Sequence, residues 1–165
     1  MARKIHVAGY AASIADPESF VGLLKTESSR VGAVVEAYDA GAILGTEHLV
    51  VAWERARRAF EDNRAASDSE AMEARVYASC ERQIKTAIAK TGVKPGKGGV
   101  ALVSEDASAM EKVANALGLK RDDSVLAPTR EKLALWGMAE SGNAISPEAL
   151  SDLIFERMSL LEVER

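Results

Sequence analysis

Only three short runs in this 165-residue chain are apolar without helical spacing: Ile5-His-Val-Ala-Gly9, Val31 to Tyr38, and Val100-Ala-Leu-Val103. Their β-branched content and lack of a 3.6-residue period predict strands, and the long stretches between them are patterned as helix. A chain with few strands and many helices must build a small central β-sheet covered by helices, about seven to eight of them, which is an α/β (α+β) class. The length suits one ordinary core, so a single domain over residues 1–165 is expected. Aromatics make up only 5% of a chain that is 47% hydrophobic, so the core must come from small and aliphatic side chains on closely approaching helices.

The helices announce themselves by their ends. Asp16-Pro17-Glu18 combines a capping carboxylate, a proline suited to the first helical position and an acid facing the positive end of the dipole. Leu49, Ala52, Trp53, Ala56 and Phe60 form one stripe of a helix over about 47–62. Ser67-Asp-Ser-Glu70 fits a capping box and predicts a helix from near 68 to 79, a break at Ser79-Cys80, and another helix from Glu81 to Lys90. A helix over about 106–117 stops at Gly118, residues 119–127 read as irregular, and 129–138 read as helix. Ser146-Pro147-Glu148 opens a last helix with Leu150, Ile154, Met158 and Leu161 on one face.

Composition excludes several chemistries. Cys80 is the only cysteine, so neither an intrachain disulfide nor a thiolate cluster can form. With only His6 and His48 beside it, no metal is expected, and no cofactor. Lys94-Pro-Gly-Lys-Gly-Gly99 leads into a strand rather than a helix and lacks the Ser or Thr that follows the lysine of a phosphate loop, so it reads as a turn. No window nears the eighteen apolar residues of a membrane span, and the first six residues lack an apolar signal core, so a soluble, cytoplasmic protein without membrane association is expected.

Charge is unevenly spread. The net charge is −4, yet residues 72–100 carry six basic residues against Glu73 and Glu81. Ser79, Glu81, Arg82, Gln83 and Lys85 gather polar and basic groups at a helix start, where free amides, a guanidinium and an amide could hold a phosphate or a base edge. Tyr77 or an arginine would supply a stacking surface. The competing enzymatic reading is acid–base chemistry in a pocket around Asp39, Glu47 and His48. Against it, Asp39 is most simply a strand-ending cap, His48 a structural hydrogen-bonder and Cys80 a small interior residue. A regulatory domain that only dimerises is a third reading.

Asp39-Ala40, Ile43, Gly45, His48-Leu49, Ala52, Ala56 and Ala59-Phe60, followed by Ser79, Arg82-Gln83-Ile84, Ala87-Ile88 and Gly92, resemble in order and spacing the TPRKB-like small subunits of the KEOPS complex. Glu156-Arg157-Met-Ser-Leu160 looks like that family's Glu-Arg-x-Ala-Leu, and the match is otherwise confined to about residues 36–103. The chain departs at Cys80, where the family has glycine. The resemblance implies a non-catalytic, archaeal-type accessory subunit that binds the complex's small atypical kinase, associates indirectly with the catalytic subunit, and helps to recruit tRNA by its 3′ CCA end for threonylcarbamoyl-adenosine modification beside the anticodon. Carried over by position, Ser79, Arg82 and Gln83 become tRNA contacts, with Lys85 and Arg75 as nearby charges. Ile43 and Leu44, with Ile154 and Met158 of the last helix, are the expected kinase surface.

Overall fold

The computed structural model describes residues 3–138 and 147–164. In chain order the elements are β1 (His6–Ala11), α1 (Pro17–Val31), β2 (Val35–Asp39), α2 (Thr46–Glu61), α3 (Glu70–Ser79), α4 (Ile84–Thr91), β3 (Val100–Ser104), α5 (Ala107–Ala116), β4 (Lys120–Arg121), α6 (Arg130–Leu135) and α7 (Pro147–Glu164). Short 3-10 turns follow β2 and β4. Four strands and seven α-helices among the described residues make this an α+β protein.

Contacts group the chain into two compact units. The first runs up to Gly41 and resumes over Gly92–Ala127; the second comprises Ala42–Thr91 and the described residues from Pro128 onward. Chain length gives no sign of this arrangement, because segments of the two units alternate along the sequence.

The first unit holds the sheet, in the order β2-β3-β1-β4, with every pairing antiparallel. One face presents Ala8 and Tyr10 of β1, Val35 and Ala37 of β2, and Val100 and Leu102 of β3. These pack with Leu24 of α1 and Met110, Val113 and Ala114 of α5 in one apolar cluster, the aliphatic core that the composition requires. Asp16 caps α1 by accepting the amide of Glu18.

Two boundaries differ from the sequence pattern. Val31 is the last residue of α1 rather than the first of a strand, because Gly32 (φ 72°) turns left-handed and its amide and that of Ala33 close on Ser29 and Ser28. A glycine stop thus outweighs the β-branched composition of the run after it. Residues 119–127 are also ordered: Lys120 and Arg121 pair with Ala11 and Tyr10, and Asp122 caps the 3-10 turn Asp123–Leu126. A two-residue charged strand carries no periodicity to read. The turn grips Gly9, whose amide donates to Asp123 Oδ1 at 2.9 Å and whose carbonyl accepts the amide of Asp122 at 2.9 Å.

The second unit is helical. On α2, Leu49, Ala52, Trp53, Ala56 and Ala59 are buried, while Phe60 is only half-buried. Ser69 rather than Ser67 caps α3, accepting the amide of Met72 at 3.1 Å, and Glu73 reaches back to the amide of Ala66 at 3.3 Å. The helix therefore begins at Glu70. On α7, Leu150, Ile154, Met158 and Leu161 are all buried, as their common face predicts; Ser146 lies outside the described residues.

A side chain at position 9 has no room: a Cβ there would sit 2.8 Å from the Asp122 carbonyl oxygen and 2.9 Å from Val125. Gly9→Ala is expected to destabilise the fold by about 1–3 kcal/mol, read as a lowered urea midpoint at unchanged slope.

Candidate functional site

The α3–α4 junction organises the second unit's surface. Cys80 ends α3 in the left-handed conformation (φ 57°), which a non-glycine residue adopts only at a cost. The Ser79 hydroxyl then donates to the carbonyl of Val76 at 2.9 Å and accepts the amide of Glu81 at 3.0 Å. That turn holds residues 81–83 outside any helix, so α4 begins at Ile84 rather than Glu81. Arg82 and Gln83 are left exposed at its N-terminal end.

A groove of about 510 Å³ opens at this turn. Cys80, Arg82, Gln83, Thr86 and Lys90 line it, with Trp136 just beyond α6 and Arg157 and Leu160 of α7. Arg82, Lys90 and Arg157 face it against the single acid Glu81, so the groove favours an anion. Its charges are fixed by specific contacts. The Lys90 ammonium donates to the Ser79 carbonyl at 3.0 Å and lies 3.8 Å from the centre of the Trp136 ring. Arg157 donates to the Trp136 carbonyl at 2.6 Å, with its guanidinium 6.0 Å from the same ring.

His48 supports the groove from within. Its Nδ1 accepts the amide of Leu44 at 3.0 Å, so Nε2 carries the proton and donates to the Ala78 carbonyl at 2.8 Å. The ring meets Trp136 edge to face at 5.3 Å, and the indole N–H donates to the carbonyl of Ala42 at 3.0 Å. Burial, with smaller contributions from the Lys90 and Lys132 charges, lowers the His48 pKa to about 4. Burial also pushes the Cys80 thiol up to about 11.

The candidates from sequence divide cleanly. Arg82 and Gln83 line the groove; Lys85 is exposed on α4 but is not a groove residue. Ser79 is wholly buried and its hydroxyl is consumed by the turn. Arg75 is interior as well, donating to the carbonyl and hydroxyl of Thr91. Neither offers a side chain to a ligand. Tyr77 is also buried, its hydroxyl on Glu162, so it is no stacking surface. Lys90, Trp136 and Arg157 were missed as groove residues; the Glu156-Arg157 match was the one signal for any of them. Ile43, Leu44, Ile154 and Met158 are core residues, which corrects their assignment to a partner surface.

The chain was compared with protein-family models and with curated protein sequences. It matches none. The acid–base reading around Asp39, Glu47 and His48 finds no support in the geometry. Both ring nitrogens of His48 are occupied inside the core, Glu47 is exposed, and Asp39 accepts the amide of Gly41 at 3.0 Å as a strand-ending cap. No helix among the described residues is long and apolar enough to cross a membrane, and no three His, Cys, Asp or Glu among them could jointly hold a metal ion.

Two expectations follow. The His48 pKa falls from 6.5 to about 4 on folding, so between these values the unfolded chain binds more protons than the folded one. Stability should therefore be full above about pH 6.5 and fall by about 2–3 kcal/mol as the pH drops toward 4, a component that urea titrations of His48→Gln should lack. Ile43→Asp would bury a carboxylate without a partner, and is expected to cost at least about 3 kcal/mol and to lower the melting temperature seen by circular dichroism, rather than to remove a surface contact selectively.

Proposed function

We propose that this chain is the small non-catalytic accessory subunit of a KEOPS-type tRNA-modifying complex, binding that complex's small atypical kinase and holding the 3′ CCA end of tRNA in the groove of its second unit. One observation carries the reading. Arg82 and Gln83 of the Arg-Gln-Ile segment and Arg157 of the Glu-Arg segment, far apart in sequence and both part of the resemblance, line the same basic groove. A guanidinium pair, an ammonium and a side-chain amide in one open cleft suit the phosphates and base edges of a single strand better than a duplex.

The departure at position 80 is also compatible with this reading. Cys80 occupies the left-handed conformation that glycine takes most easily, so the substitution alters the residue and leaves a glycine-like turn. Association with the kinase, and through it with the catalytic subunit, is part of the proposal and rests on the resemblance alone. Ile43, Leu44, Ile154 and Met158 are interior, so no contact surface for the kinase is assigned.

Deacylated tRNA should bind the purified chain, bind much more weakly when its terminal CCA is removed, and lose affinity steeply between low and moderate salt. Arg82→Ala should weaken binding by on the order of 1–3 kcal/mol. Equal binding of intact and CCA-less tRNA would overturn the assignment of the groove to the tRNA end, and failure to co-purify with the kinase would overturn the adaptor role.

A further inference from the structure

Within the groove, the Lys90 ammonium does two things at once: it bonds the Ser79 carbonyl, and it lies 3.8 Å from the centre of the Trp136 ring. Among the described residues its carboxylate contact is a long one, 3.5 Å to Glu81 Oε1. The indole beneath is 3% exposed and is held in place by its N–H bond to Ala42 and the edge of His48. An aromatic ring that lines a cleft and has an ammonium over its face is already used by the protein as a stacking surface. Cation–π pairing, phosphate pairing and base stacking are alternatives for these same two groups.

We infer that Lys90 and Trp136 form a coupled nucleotide subsite, in which a phosphate entering the groove draws the ammonium off the indole and a base stacks on the ring face it leaves. The inference rests on the single-strand reading of the groove and adds a mechanism to it. Arg82 and Arg157 line the same groove as Lys90 and add to its positive charge. A ligand with both phosphate and base should thus bind far better than either part alone. Inorganic phosphate has nothing to place on the ring, and a nucleoside has nothing to move the ammonium.

The test uses the Trp53→Phe background, so that Trp136 is the only tryptophan. A fluorescently labelled single-stranded RNA ending in CCA is titrated by anisotropy, and Trp136 emission is followed in parallel with the unlabelled strand. Cytidine and inorganic phosphate serve as the separate parts. The expected result is binding accompanied by quenching of Trp136, about tenfold weaker and without quenching in Lys90→Met, unchanged quenching in Lys85→Gln, and little response to cytidine or phosphate. RNA binding with Trp136 emission unchanged would overturn the coupled subsite and leave the groove's RNA role intact. No RNA binding at all would overturn both.

Discussion

The imidazole of His48 ties together three parts of the second unit that are remote in sequence. One nitrogen takes the amide of Leu44 just before α2, the other gives its proton to the end of α3, and the ring edge rests on Trp136 after α6. Each of these parts contributes to the groove or to its support. The turn following Ala78 contains Ser79, Cys80 and Arg82; Trp136 is a groove wall; the 42–44 segment accepts the indole N–H at Ala42 and the Lys132 ammonium at Ile43. A neutral imidazole suits this place because it can accept and donate along one line, whereas a charged ring would donate twice and leave the Leu44 amide facing another donor.

The second constraint is the backbone at Cys80. A helix that ends in a left-handed residue turns the chain sharply, and the hydrogen bonds of Ser79 then absorb the groups left over at the α3 end. The polar residues that follow are consequently presented at the surface and not wound into α4. In this way one residue's dihedral angle decides that Arg82 and Gln83 stand at a groove edge while Ser79, three positions before Arg82, is sealed inside.

What was legible in the sequence was what local patterning dictates. The Asp16-Pro17 start of α1, the Gly118 stop after α5 and the common face of Leu150, Ile154, Met158 and Leu161 rest on caps and periodicity, and each stands where the pattern puts it. Elements that depend on a distant partner were not legible. The strand Lys120–Arg121 exists because β1 offers it an edge, and the interior place of Arg75 depends on Thr91 sixteen residues on. The same limit applies to the groove. Arg82 and Gln83 are visible as a polar cluster, but nothing local says that Lys90, Trp136 and Arg157 converge on them, and an apolar pair such as Ile43-Leu44 reads alike whether it meets a partner or its own core.

Burial also bears on what kind of chemistry this unit can host. The imidazole and the thiol are its two side chains whose ordinary pKa values lie nearest neutrality, and the interior moves them in opposite directions: His48 down to about 4, Cys80 up to about 11. At neutral pH one is an uncharged base with both nitrogens occupied and the other an uncharged thiol, so neither is poised to exchange a proton or to attack an electrophile. Of the groove's cations, Lys90 is held by the Ser79 carbonyl and the Trp136 indole, and Arg157 by the Trp136 carbonyl. Three cations against the single lining acid Glu81 make the groove attractive to an anion.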